Sequence, residues 1–295
     1  MMNKVLYTLG LLTLGSISFA QSTKTTANTA APLVIKKTKT PPKDGFSARI
    51  DVDSNTVVPY AAVREEDVYY SKRIWREMDL TDSVNSVLNN DQYKLIEIFL
   101  TAIQDEELTA YSSKDTIAGR VLEDNDSFKI ALTAQEALQN ARGYTEGSQD
   151  QITGKLAKPT LKRLRPDDFS KYRIKEDWIL DIKRAVFEPR IVGIAPMKMV
   201  EGNWQPVFWI YFDEAREILS KKRLLNPRND ASVMTYDDFF TRRLFSSIIV
   251  KETNPGNKTI MEILGATDPK DPKLIAESER IEKSLDKFQK RMWKY

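Results

Sequence analysis

The chain has 295 residues, with 45 Lys and Arg, 42 Asp and Glu, no His and no Cys, for a formal net charge of +3. The lack of imidazole and thiol excludes Ser-His-Asp and Cys-His catalysis, His-ligated zinc, thiolate nucleophiles and disulfides, leaving carboxylate, Lys, Tyr or Ser-Lys chemistry. A charge this balanced also argues against nucleic acid as a partner, which calls for a strongly basic domain.

The first segment reads as a leader. Lys4, the mostly apolar run 5–17 and the small residues Ser18 and Ala20 ahead of Gln21 predict a secretory signal peptide over 1–20. Its roughly 13 apolar positions fall short of the ~20 that a spanning helix needs. No later stretch is apolar enough to span, so an exported chain that does not itself cross the membrane is expected. Without Cys it cannot be a lipoprotein. Residues 21–58 begin polar and of low complexity, then carry Lys36, Lys37, Lys39 and Lys43 around Pro41-Pro42. They predict a flexible basic, Pro-containing tail, serving as a spacer or as an arm that orders on a partner.

The core is expected over 59–265 as an α+β fold, a strand meander flanked by helices. Its aromatic-rich opening, Val68 to Arg76, suits helix or strand equally. Leu80, Val84, Val87 and Leu88 recur at helical spacing. Asp91 is placed to cap a second helix holding Leu95, Ile96, Phe99, Leu100 and Ile103, apolar on most of its circumference and therefore buried. Thr133-Ala-Gln-Glu136 has the form of a capping box and predicts a short helix ending near Gly143. The Gly-, Ser- and Gln-rich run 143–159 reads as a loop, with two halves on either side of it as one possible organisation.

Beyond it, Ile174, Glu176, Trp178 and Leu180 alternate as in a strand. Val186 to Ala195 is a second β-rich run whose Pro189 points to an edge or a bulge. Glu201-Gly202-Asn203 is turn chemistry, linking Met197–Val200 to Val207–Phe212, a run apolar on both faces and so a central strand. Asp213 opens a helix reaching about Arg223. Thr235-Tyr-Asp-Asp238 opens another, expected to bury Phe239, Phe240, Leu244 and Ile248. After the Pro- and Gly-containing breakers at 254–257 and 268–272, residues 266–295 form a linker and a C-terminal amphipathic helix. In it Leu274, Ser278, Ile281, Leu285, Phe288 and Met292 keep a heptad register. That stripe either folds back onto the chain's own core or forms a seam for a partner.

Little of this supports catalysis. Glu123 to Asp126 lacks the Gly and Glu spacing of an EF-hand and reads as a solvated loop. Ser284-x-x-Lys287 sits on the charged flank of the terminal helix, where a low-pKa Lys is not expected. Asp167-Asp168 and Asp237-Asp238 are explained as helix-start acids, since adjacent helical residues diverge. The basic clusters Lys158–Arg165 and Lys221–Arg228 read as solvated surface. Phosphate-cradling loops and the nucleophile elbow are absent from the sequence.

Four long segments resemble the GldN/PorN family. They are Val68-Tyr-Tyr-Ser-Lys-Arg-Ile-Trp-Arg76; Tyr172 to Trp178 with its continuation Arg190 to Pro196; Pro206 to Arg216; and Met234 to Phe245. The resemblance spans about 60–257. It implies a non-enzymatic periplasmic subunit of the type IX secretion and gliding apparatus, held at the outer membrane through a partner. The implied partners are a GldK/PorK-like outer-membrane lipoprotein in a large ring, further copies of the chain, and the periplasmic part of a GldM/PorM-like inner-membrane protein. No cofactor and no catalytic residue come with the family. Partner-binding candidates are therefore chosen for interface chemistry: Tyr69, Tyr70, Trp75 and Trp178, with Ile281, Leu285, Phe288 and Met292 of the terminal stripe. The alternatives are a periplasmic enzyme working on cell-wall material with carboxylate or Lys chemistry, and a chaperone that binds secretion cargo transiently.

Overall fold

The computed structural model describes residues 57–89, 94–117, 120–122, 125–143, 162–224, 234–268 and 271–292. The expected signal peptide, nearly all of the expected basic tail, Asp91, most of the 143–159 run, Glu123-Asp124 and parts of both basic clusters lie outside them.

The undecided opening segment is a strand, β1 (Val68–Asp79), whose aromatic and alternating residues suit a pleated surface. It starts an eight-stranded sheet in the order β12-β1-β6-β7-β9-β2-β5, with β8 also paired to β7. The other strands are β2 (Ala110–Ser112), β5 (Ala131–Leu132), β6 (Lys171–Asp181), β7 (Val186–Val200), β8 (Asn203–Pro206), β9 (Phe208–Tyr211) and β12 (Ile248–Glu252). Every pairing in this sheet is antiparallel. Two short ladders stand apart: β3 (Asp115–Ile117) with β4 (Arg120–Leu122), and β10 (Arg223–Leu224) with β11 (Met234–Thr235). Strands from both sides of the 143–159 loop thus pair within one sheet.

Cross-strand register sets the two faces of the sheet. Met78 faces Tyr172, Arg76 faces Ile174, Ile74 faces Glu176 and Tyr70 faces Leu180. Helices cover this face in two blocks. Over one half lie α1 (Leu95–Gln104), α2 (Ala134–Arg142), α3 (Phe212–Ser220) and α4 (Tyr236–Thr241), which seal Met78, Tyr172, Ile174 and Ile194 with Phe99, Ala137, Leu219 and Phe240. Over the other half lie α5 (Ile260–Leu264) and α6 (Pro272–Met292), closing on Ile74, Trp178, Leu180, Phe187 and Ile249. The expected α+β arrangement of a sheet with flanking helices is what the chain forms.

Local signals explain most boundaries. Glu136 accepts from the Thr133 N–H at 2.9 Å and Thr133 Oγ1 from the Glu136 N–H at 3.2 Å, closing the box that starts α2, and Gly143 ends it at φ 68°. Thr235 and Asp238 do the same for α4. The β7–β8 turn puts Glu201 at φ 50° and Gly202 at φ 83° between paired Val200 and Asn203, the double positive φ of a type I′ hairpin.

Four expectations are corrected. Leu80 to Leu88 is not a helix but a turn ending in one 3₁₀ turn at Asn85–Leu88, because Asp79 accepts from both Thr81 N–H and Oγ1 and Asn85 Nδ2 donates to the Asp79 carbonyl. Residue 94, not Asp91, occupies the N-cap position of α1, with the Lys94 N–H donating to Glu97 at 3.4 Å. The two β-rich runs 186–195 and 197–200 are one strand, β7. At Pro189 it has β6 on one side and no strand on the other among the described residues, so the missing N–H costs no ladder bond, and the bulge of this run falls further along β7, at Val192, the extra residue opposite the Lys175–Glu176 step of β6. Finally, α4 stops at Thr241. Leu244 is exposed and Ile248 opens β12, because Arg243 turns to φ 55° and reaches Glu176.

Candidate protein-interaction surfaces

The two helical blocks do not meet as apolar surfaces. Between them a charged network crosses the sheet face. Glu176 is fully buried, and its carboxylate accepts from Arg76 Nε at 3.0 Å and Arg243 Nη1 at 2.6 Å. Arg76, 2 % exposed, reaches on to α6, where both Nη atoms donate to Glu282 at 2.8 and 3.1 Å. Burial opposes the charge on Arg76, but the facing Glu176 and Glu282 outweigh it and raise its pKa above the ordinary value. The arrangement is a satisfied buried cluster that fixes where α6 sits, since breaking one member strands its neighbours.

Two further polar bonds seat α6. The Ile249 N–H of β12 donates to Ser278 Oγ at 2.7 Å, and Gln289 Nε2 donates to the Phe187 carbonyl at 3.1 Å. The polar member of the heptad stripe thus satisfies a strand N–H. Leu274, Ile281 and Leu285 are buried on the sheet and Phe288 packs edge-on to Phe187 with ring centroids 4.9 Å apart. Of the two alternatives for the stripe, the described helix takes the fold-back onto its own core.

The opposite face of the sheet carries no helix among the described residues. On it, cross-strand neighbours are also ion pairs: Arg173–Glu77 at 2.7 Å and Arg73–Asp177 through two bonds of 2.6 and 2.8 Å. Between them Trp75, Trp209 and Ala195 form a small cluster joined by Tyr111 and Phe128. Asp126 ties it together, accepting from Trp75 Nε1 at 2.6 Å and pairing with Lys175 at 3.2 Å. Asp126 is therefore a structural anchor, which corrects the solvated-loop reading at that residue. Burial pulls the Lys175 pKa down, and Asp126 only partly restores it. Lys251 lies 4.5 Å above the Trp75 ring. The face is aromatic, charged and partly exposed, the composition that protein contacts use.

The sequence-predicted site residues separate into three groups. Tyr70, Trp178, Ile281, Leu285 and Phe288 converge in the packing under α6, with Tyr70 5.1 Å from Phe288 and 37 % exposed. Trp75 lies on the opposite face. Tyr69 stands alone as a strongly exposed ring, at 77 %. The Met292 side chain lies outside the described residues. Arg76, Glu176, Arg243, Glu282 and Asp126 were missed as site residues; they lie far apart in sequence and carry no motif. The acidic pairs have structural work: Asp237 binds Arg216 through bonds of 2.9 and 3.2 Å, and Asp238 caps α4. Ser284 and Lys287 are both exposed. Among the described residues no group of three or more Asp or Glu is placed to hold a metal ion, and no helix is long and apolar enough to cross a membrane.

These features define a class: an α+β protein built on one antiparallel sheet, helices on one face, a laced aromatic and charged surface on the other, and no evident catalytic centre among the described residues. The family model described as gliding motility associated protein GldN matches residues 63–294, and the chain belongs to that family. Membership implies a role in the type IX secretion and gliding apparatus. No curated protein matches the chain.

Proposed function

We propose that the chain is a non-enzymatic structural subunit of the type IX secretion and gliding apparatus. In this reading it resides in the periplasm and assembles with a GldK/PorK-like outer-membrane lipoprotein, and with further copies of itself, into a large ring. The periplasmic part of a GldM/PorM-like inner-membrane protein is a further partner. The carrying observation is the GldN match, which runs through the whole sheet and both helical blocks. The geometry is compatible with it: Asp237 and Asp238 are held in an ion pair and a helix cap, while the helix-free face presents Arg73, Lys251 and the half-buried rings of Tyr111 and Phe128. No observation favours the cell-wall enzyme. The test is co-expression of the mature chain with its lipoprotein and size-exclusion chromatography. A large co-eluting assembly is expected; a monomer that retains no lipoprotein overturns the proposal.

A further inference from the structure

The outer edge of β1 changes character along its length. Pairing with β12 runs only from Ile74 opposite Glu252 to Glu77 opposite Ile248, and just before it the Thr253 N–H donates to the Arg73 carbonyl at 3.0 Å. Pairing with β6 continues on to Val68 opposite Asp181. From Val68 to Lys72, β1 therefore has a strand on one side, and none of the described residues pairs with its other side. In an antiparallel ladder N–H and C=O groups alternate sides every residue. Ser71 thus turns both groups the same way as the Arg73 carbonyl, away from β6, and it is exposed. An edge of this kind is a template for another strand.

Beside it runs a groove of about 440 Å³ between β1, the end of β12 and α6. Tyr70, Ile281, Leu285 and Phe288 give it an apolar floor. Its rim is basic: Lys72, Arg280, Lys287 and Arg291 line it against a single acid, Glu252. Lys72 pairs with Glu252 and Arg280 with Glu277. Lys287 and Arg291 have no ion-pair partner among the described residues and are exposed.

We propose that this edge and groove bind an extended acidic segment of a partner protein, which adds a strand alongside Val68–Lys72. Its backbone pairs with Ser71, its alternate apolar side chains rest on Tyr70 and Phe288, and its carboxylates meet Lys287 and Arg291. Strand addition takes affinity from main-chain bonds and specificity from alternate side chains. Charge selects the occupant. The chain's own tail, with Lys24, Lys36, Lys37, Lys39 and Lys43 against Asp44 over 21–45, has the wrong sign. A second copy pairing β1 with β1 would set two basic rims together. The inference deepens the assembly reading by giving the chemistry of one partner, but it requires no ring.

The test uses the mature chain and a fluorescein-labelled peptide alternating Glu and Val, about as long as an ordinary strand, read by anisotropy. The peptide is expected to bind and to weaken as salt rises, while a Lys-Val counterpart does not bind. The double variant Lys287→Glu, Arg291→Glu, on the exposed side of a helix, is expected to lose affinity by about tenfold or more. Ser71→Pro removes the outward N–H and is expected to do the same with the thermal midpoint little changed; if it does not fold, the charge variant carries the test alone. No binding of the Glu-Val peptide, or unchanged binding in the charge variant, overturns the proposal. So does a dimer of the wild-type chain that Ser71→Pro abolishes, since a second copy then fills the groove. Loss of lipoprotein assembly with peptide binding intact sinks the ring and leaves the groove standing; the converse result does the opposite.

Discussion

Glu176 is the side chain on which most depends, because it is the shared acceptor of two arginines and is itself fully buried. Glu176→Ala takes the shared carboxylate from both arginines, and because Glu282 still pairs with Arg76 the loss expected in urea unfolding is up to about 3 kcal/mol, at the lower end of what stranding a buried charge costs. Arg243→Ala should cost clearly less, since that side chain is 26 % exposed and Arg76 still neutralises Glu176. Two tryptophans of the signature segments also differ. Trp75→Phe removes a hydrogen bond to the charged Asp126, which keeps only Lys175, for about 1.5–3 kcal/mol, whereas Trp178 Nε1 is buried with no hydrogen-bond partner, so Trp178→Phe gives up no hydrogen bond and should cost less than Trp75→Phe in the same assay. Gly193 has no room for a side chain: a Cβ there would stand 2.4 Å from Phe128 Cζ and 3.0 Å from the Ile210 carbonyl oxygen. None of these dependencies could be read from the sequence, because each joins residues far apart in the chain that share no motif. The pH response has a clear sign. Hydrogen bonds from the backbone and hydroxyl of Thr133 and Thr259 hold the Glu136 and Glu262 carboxyls below their ordinary 4.5. A depressed folded-state pKa adds stability that is complete above the unfolded value and fades as pH falls through the folded one. The thermal midpoint should therefore drop below about pH 4.5, and less steeply in the Glu136→Gln, Glu262→Gln double variant.

At the scale of elements, capping and periodicity carried most of the legible information. Thr133 and Thr235 announced their helices because a Ser/Thr and an acid three residues on answer each other across the first turn. Thr259 and Glu262 carry the same signature for α5, which went unread between the breakers on either side. Periodicity misled at Leu80–Leu88, where local Asp and Asn bonds to the backbone defeat a helix that the apolar spacing allows. The heptad of α6 was right about the helix and silent about its occupant, since a core and a partner present the same apolar face. Its seat can be measured. Leu285→Ala should cost about 2–5 kcal/mol. Ser278→Val, which leaves the Ile249 N–H buried without an acceptor, should cost about 1–3 kcal/mol. If α6 were a free seam in the isolated chain, both substitutions would be near neutral.

For the whole molecule, the sheet and its flanking helices were foreseeable from the strand patterns, but the strand order was not. Alternation marks which residues share a face and gives no account of which strand lies beside which. So the helix-free face, with Arg73 and Lys251 beside the buried Trp75, emerged only from the order. At this scale the prediction concerns assembly: reversing charge at Arg73 and Lys251 should leave the monomer folded and weaken co-elution with the lipoprotein, if that face is the one the ring uses. Unchanged co-elution would move the contact elsewhere on the molecule.

The order of strands also sets a clock. Arg73 and Thr253, bonded across the β1–β12 border, are 180 residues apart in the chain. At about 5–20 residues per second of synthesis, β1 exists for roughly ten seconds or longer before its last neighbour does. Throughout that interval Arg73 to Glu77 lacks its outer neighbour, which makes this stretch the natural landing site for a holding chaperone.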